Sequence, residues 1–303
     1  MSFRLTLAQM RPALGDLQRN LEAHRELVAQ AVAQGSHLVV FPELSLTGYY
    51  LRDLTAEVAL RRDDPLMAEL AELSRCVSLV VGFVELGEAF DCYVASAYFQ
   101  GGQLLHLHRK VYLPTYGMFD EERYFSRGDQ VRTFATPLGR VGLLICEDLW
   151  HPSAVYVAAM DGMHLLIASA SSPGRGLRGP ELDTASTYER LLGAYAELFQ
   201  CYVVFVNRVG YEEGVCFWGG SRVVDPAGRT VARLPDFEPG LLSVDLDLDE
   251  VRRARVAAPL LLDERLDLTA RELQRIQAQR SGTADSSEAP NGVRSWGPSG
   301  SVC

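Results

Sequence analysis

The chain has 303 residues, 48% of them hydrophobic, and a formal net charge of −10 from 29 basic and 39 acidic side chains. That is enough apolar sequence for a sizeable core, and it excludes the basic surface that a nucleic-acid partner requires. No apolar run approaches the ~18–20 residues that span a bilayer, and Ser2–Ala8 alternates like a strand rather than forming a signal peptide's apolar block. Six cysteines without CxxC spacing fit reduced thiols in a cytoplasmic protein.

After the opening strand, Leu17, Leu21, His24, Leu27, Val28 and Ala31 recur at helical spacing, predicting a helix over about 16–34 that stops at Gly35. A strand follows, ending at Phe41. Asp64-Pro65 reads as N-cap and first helical residue, with Leu66, Leu70 and Leu73 carrying the helix to about Arg75. Strands are predicted over 77–85, 93–100 and 104–108, the last two joined at Gly101-Gly102. Residues 114–130 read as a loop rich in aromatics and charge. One strand then leads to Cys146, a helix covers about 152–161, and a strand covers 164–170. The loop 171–182 precedes a helix over about 183–200 and a strand over 202–206. A hairpin turning at Asp225-Pro-Ala-Gly228, a strand over 241–246 and helical sequence from about Asp263 to Arg280 complete the pattern.

Strands and helices interleave without a linker, so residues 1–280 read as one α/β domain. From Ser281 to 303 the composition turns to Ser, Gly, Pro, Ala and Asn, which predicts a disordered polar tail.

Three reactive residues each stand just past the end of a strand-like run: Glu43, Lys110 and Cys146. Their contexts are Phe41-Pro-Glu-Leu-Ser-Leu-Thr-Gly-Tyr49, His108-Arg-Lys-Val-Tyr-Leu-Pro114 and Ile145-Cys-Glu-Asp-Leu-Trp150. A cysteine after an apolar strand is by itself commonly an inert core thiol. Here Glu147, Asp148 and Trp150 cannot continue a buried strand, so the chain must turn at the cysteine and lift it to the sheet edge. A thiol needs a base and a cation to become a nucleophile. Glu43 could take its proton, and Lys110 could stabilise the resulting charge.

Taken together and in this order, the three contexts resemble the nitrilase, or carbon–nitrogen hydrolase, superfamily over about residues 3–250. Gly48-Tyr49, Arg123-Tyr-Phe-Ser-Arg-Gly-Asp129, Asn207-Arg-Val-Gly210 and Trp218-Gly-Gly-Ser-Arg-Val-Val-Asp-Pro-Ala-Gly228 add to the likeness. The resemblance implies a four-layer α-β-β-α sandwich that pairs into a homodimer or a higher homo-oligomer. It implies Glu43 as general base, Cys146 as nucleophile, and Lys110 with the Glu147 backbone N–H as oxyanion holder. A small linear amide would pass through a thioester, with release of ammonia or an amine and no cofactor. Glu121 matches an acidic residue that family members set against the lysine; its neighbour Glu122 leaves the register open.

Within the superfamily, Cys146-Glu-Asp-Leu-Trp150 and Tyr116-Gly-Met-Phe-Asp-Glu-Glu-Arg-Tyr-Phe125 look most like the glutaminase domain of glutamine-dependent NAD synthetase. That likeness implies Tyr49, Tyr116 and Phe119 lining the pocket, Glu147 meeting the glutamine amino group, and Ser172 and Arg178 meeting its carboxylate. A zwitterionic end group does need an anion and a cation at fixed separation. Those synthetases carry an ATP-using domain with an SGGxDS-type loop, which this sequence lacks. The expectation is therefore an amidase acting alone, or one supplying ammonia to a separate synthetase.

Other readings fit less of the sequence. Cys146, Glu147, Asp148 and His151 lie too close in the chain to converge on a metal. Gly174-Arg-Gly-Leu-Arg-Gly179 fits GxGxxG, but Pro180 intervenes where a dinucleotide fold starts its helix. An N-carbamoyl amino acid or amine amidohydrolase is the nearest alternative. A catalytically silent binding protein would have lost at least one of the three reactive residues, and all three are present.

Overall fold

A computed structural model describes residues 2–178 and 181–281; the side chains of Leu177, Arg178 and Glu181 lie outside the described residues. Strand β1 (Ser2–Gln9) leads to helix α1 (Leu17–Ala33) and the short strand β2 (Leu38–Val40). Helix α2 (Pro65–Leu73) precedes a meander of β3 (Ser78–Leu86), β4 (Cys92–Gln100) and β5 (Gln103–Arg109). Next come β6 (Thr133–Thr136), β7 (Gly139–Ile145), α3 (Pro152–Met160) and β8 (Leu165–Ala170). Two dipeptide strands, β9 (Leu177–Arg178) and β10 (Glu181–Leu182), pair ahead of α4 (Asp183–Leu198) and β11 (Tyr202–Asn207). Hairpins of β12 (Val209–Glu212) with β13 (Val215–Trp218), and of β14 (Arg222–Val224) with β15 (Thr230–Arg233), precede β16 (Gly240–Asp247) and α5 (Asp249–Ala257).

These elements form one compact unit ending at Leu262. A second unit begins at Asp263, and its described element is α6 (Leu266–Arg280), a helix with no buried residue. No helix among the described residues is long and apolar enough to cross a membrane.

Two six-stranded sheets carry the first unit, in the orders β16-β1-β2-β3-β4-β5 and β15-β14-β11-β8-β7-β6. Alternation along each strand sends neighbouring side chains to opposite faces, and both faces here are apolar. Val40, Val80 and Tyr98 of one sheet meet Val141, Ile167 and Val204 of the other between the sheets. The outer face of the first sheet, with Val39, Leu79 and Phe83, packs under Leu21, Val28, Leu66 and Leu70 of α1 and α2. The outer face of the second, with Leu144, Leu166 and Phe205, packs under Val155, Leu192 and Tyr195 of α3 and α4. The result is the four-layer α-β-β-α sandwich. Parallel strands buried on both faces explain why β2, β8 and β11 read as mostly apolar runs without alternation.

The predicted helix starts hold for local reasons. Asp64 accepts the Leu66 N–H at 2.8 Å with Pro65 as first helical residue, and Asp16 accepts the Arg19 N–H at 3.1 Å. Several features differ from the sequence-based expectation, among them the β9–β10 pair inside the expected loop 171–182. Helix α5 buries only Val251, too little for an apolar stripe to register. The β12–β13 hairpin turns at Glu213 and Gly214, both with positive φ (49° and 80°), an arrangement usually signalled by Asn-Gly. A β6–β7 hairpin stands where one strand was expected before Cys146.

Candidate active site

The reactive residues sit beyond strand ends that face one way. In the first sheet β2 and β3 are parallel, β4 reverses and β5 reverses again, so β2 and β5 run in the same sense. In the second, β7 and β8 are parallel. Glu43 follows β2, Lys110 follows β5, Cys146 follows β7 and Ser171 follows β8.

Glu43 is buried in a loop laid directly on β3. A Cβ on Gly82 would come within 2.5 Å of the Leu44 nitrogen and 2.6 Å of the Pro42 oxygen, so only glycine lets the loop lie there. The next sheet holds the loop from the other side. Ser171 donates its backbone N–H to Glu43 Oε2 at 2.6 Å and its hydroxyl to the Glu43 carbonyl at 3.0 Å.

Lys110 is 1% exposed, and its Nζ donates to Glu43 Oε1 and to Glu121 Oε1, each at 2.8 Å. Burial works against its charge, but Glu121 and Glu43 outweigh it and hold its pKa well above the ordinary lysine value. Two carboxylates around one ammonium leave an excess negative charge. Burial accordingly pushes Glu121 up to about 7, against the pull of Lys110. The Tyr49 hydroxyl donates to the same Glu121 oxygen at 2.5 Å. The register left open by sequence is resolved here: Glu121 lies against the lysine, while Glu122 pairs with Arg127.

Cys146 opens a single 3₁₀ turn, Cys146–Trp150, directly after β7, and its φ of 45° is in the left-handed region that non-glycine residues rarely occupy. What holds this turn is Asp148, a fully buried residue to which the sequence reading assigned no role in the site. Its Oδ2 accepts the Ile145 N–H at 3.0 Å and His108 Nε2 at 2.9 Å, and its Oδ1 accepts the N–H groups of Val111 and Tyr112, both at 3.0 Å. One carboxylate thus binds the cysteine turn to both sides of Lys110. Burial raises the Cys146 pKa well above the ordinary thiol value, Glu43 adds to the rise and Lys110 opposes it. Burial and Glu43 thus favour the thiol over the thiolate. Its hydrogen-bond partner among the described residues is the Tyr188 hydroxyl, 3.6 Å away, which also accepts Trp150 Nε1 at 3.1 Å.

Cys146 opens into a cavity of about 320 Å³ whose wall includes Tyr116, Phe119, Glu147, Ser172 and Arg175. The Tyr116 hydroxyl donates to Glu147 Oε2 at 2.9 Å, and burial raises the Glu147 pKa. Arg175 stacks 4.6 Å over the Phe119 ring, and one of its terminal nitrogens is buried without a hydrogen-bond partner among the described residues. Tyr49 lies outside this cavity; it lines a separate one of about 230 Å³ with Tyr50, Glu121 and Phe125. The Arg178 side chain lies outside the described residues.

A larger apolar cleft of about 780 Å³, between the end of α3, α5 and Pro259, touches none of these groups. Chemistry rather than size marks the site. Among the described residues no cluster of His, Cys, Asp or Glu is placed to hold a metal. Asp148 is committed to its four donors, and His151 stacks on Tyr112 at 3.6 Å. Within the Gly174–Gly179 stretch, Leu177 and Arg178 form β9 rather than a helix.

A family model for carbon–nitrogen hydrolases matches residues 4–256. The glutamine-dependent NAD(+) synthetase of Thermotoga maritima is 34% identical over 84% of this chain, which spans 44% of that protein's length. The N-carbamoylputrescine amidase of Arabidopsis thaliana is 26% identical over 84% of this chain and 89% of its own. Among solved structures, a glutamate-to-glutamine mutant of an amidase from a Nesterenkonia species is 28% identical with a TM-score of 0.75 over 89% of this chain and 96% of its own; it carries the acetamide moiety of fluoroacetamide on its active-site cysteine. With the family model matched across the sandwich and its site, this chain belongs to the carbon–nitrogen hydrolase family.

Proposed function

We propose that the protein is a cysteine-dependent amidase that hydrolyses the C–N bond of a small linear carboxamide of the glutamine type through a thioester. The observation that carries this reading is the buried Glu43–Lys110–Glu121 cluster acting on the charge of Cys146 at the base of a cavity. Glu43 takes the proton from the Cys146 thiol as Sγ attacks the carbonyl carbon. The developing oxyanion falls to Lys110 Nζ and the backbone N–H of Glu147, which stands at the start of a helical turn where N–H groups lack an acceptor within the turn. As the C–N bond breaks, Glu43 returns the proton to the leaving nitrogen, and ammonia departs. Water, deprotonated by the same carboxylate, then hydrolyses the thioester. Glu121 holds Lys110 in place and charged throughout.

Support for a glutamine-like substrate comes from Glu147 and Arg175, opposite charges on one cavity wall. Tyr116, Phe119 and Ser172 line the same cavity, and Arg178 is a second candidate cation. Tyr49 serves the site through Glu121. A second reading, hydrolysis of an N-carbamoyl amine, draws on the Arabidopsis relative and on Glu147, which would equally receive an ammonium group. The proposal includes a hydrolase domain over 1–280 with a polar tail, a homo-oligomer in the cytoplasm, and release of ammonia that a separate synthetase could use.

Ammonia release from glutamine, asparagine, small aliphatic amides and N-carbamoyl amino acids tests the reading. Glutamine should lead the panel, and Cys146→Ala should abolish turnover while leaving the fold intact. Undiminished turnover by that variant would refute the role of the cysteine, and an N-carbamoyl compound leading the panel would favour the second reading.

A further inference from the structure

Tyr188 has no part in the mechanism above, yet its hydroxyl is the polar group hydrogen-bonded to the Cys146 sulfur, at 3.6 Å. It stands on α4, is 1% exposed, and has its ring 4.6 Å from that of Phe205 and 6.3 Å from that of Trp218. The ring has no freedom to carry the hydroxyl elsewhere.

The donor at the hydroxyl sets its direction. Trp150 Nε1 approaches the Tyr188 oxygen at 3.1 Å, and an indole nitrogen can only donate. With that indole N–H donating to the phenolic oxygen, the acceptor within reach of the hydroxyl proton among the described residues is the Cys146 sulfur. The tyrosine's own proton is left for the sulfur. Once Cys146 has passed its proton to Glu43, the sulfur can only accept.

We propose that Tyr188 is a catalytic residue that donates its hydroxyl proton in a hydrogen bond to the Cys146 thiolate, oriented for this by Trp150. No proton is transferred to sulfur: the thiol proton resides on Glu43, Tyr188 keeps its own, and the S–C bond to the substrate forms from a sulfur lone pair. A hydrogen bond to the charged form favours that form. Tyr188 thus offsets part of the rise that burial and Glu43 impose on the thiol.

The inference rests on Cys146 being the nucleophile, but its test needs no substrate. Alkylation of Cys146 by iodoacetamide, followed by peptide-resolved mass spectrometry across pH, reports the thiolate directly. Tyr188→Phe keeps the ring and removes the donor. It should move the alkylation profile upward by about one pH unit and slow labelling at neutral pH about tenfold, with kcat falling more than KM changes. Trp150→Phe, at a partly exposed position, should shift the profile the same way by less. A profile for Tyr188→Phe that coincides with the wild type, or moves down, overturns the proposal; should that variant fail to fold, an unchanged profile for Trp150→Phe does so. Amide turnover surviving in Cys146→Ala would instead refute the nucleophile assignment, an outcome that the labelling data cannot mimic.

Discussion

Asp148, two residues after Cys146, hydrogen-bonds His108, two residues before Lys110, at 2.9 Å with both side chains buried. The same carboxylate accepts Val111 and Tyr112, one and two residues after Lys110. The two sheets are thereby clamped at the position where nucleophile and cation must meet. Neither Cys146 nor Lys110 can shift without breaking a bond to Asp148.

Replacing Asp148 should therefore harm stability and activity together. Asp148→Ala leaves three backbone N–H groups and an imidazole nitrogen without their acceptor in a dry environment, at about 1–3 kcal/mol for each donor left unpaired. Denaturant unfolding should show a loss of at least about 3 kcal/mol. A loss below about 1 kcal/mol would mean that the clamp is not formed in solution.

Glu121 should make stability fall as pH rises through the weakly acidic range. Its pKa in the folded chain is about 7, against an ordinary value of 4.5. The folded state therefore binds the proton more tightly, and between those values the unfolded state loses it first. Stability falls with rising pH by at most about 1.4 kcal/mol per unit in that window. Glu121→Gln should flatten the slope between pH 4.5 and 7. Identical slopes in mutant and wild type would argue against a raised Glu121.

Gly82 tests whether the Glu43 loop must lie on β3. The Cβ of Gly82→Ala would meet backbone atoms of Pro42 and Leu44, which cannot yield as a flexible side chain would. The variant should lose about 1–3 kcal/mol of stability and, because Glu43 moves, most of its amidase activity. A fully active Gly82→Ala would show that the loop tolerates displacement.

The two arginines of the 171–182 loop can be separated by kinetics. Arg175→Ala should raise the KM for glutamine about tenfold or more, the effect of losing one charge-assisted contact, while leaving the KM for propionamide near its original value. Arg178→Ala, measured beside it, shows whether the second cation shares the carboxylate. Equal effects of Arg175→Ala on both substrates would remove Arg175 from recognition.

The sequence alone determined what depends on neighbours in the chain. Apolar periodicity placed α1, α2 and the strands that pack in both sheets, and Asp64-Pro65 started its helix, because these signals act within one or two turns. The chain order and local contexts of Glu43, Lys110 and Cys146 were likewise enough for the family and the four-layer sandwich. Tertiary structure decided everything that spans long separations. Glu43 is held by Ser171, 128 residues away, and Cys146 meets Tyr188 across 42. Which of Glu121 and Glu122 faces the lysine depended on the register of the 3₁₀ turn Glu121–Arg123. Tyr49 turned to Glu121 rather than to the Cys146 cavity, Arg175 came to line that cavity, and Asp148 became a buried clamp. No periodicity encodes such contacts; they exist only because two sheets pack face to face and bring the carboxyl ends of β2, β5, β7 and β8 to one edge.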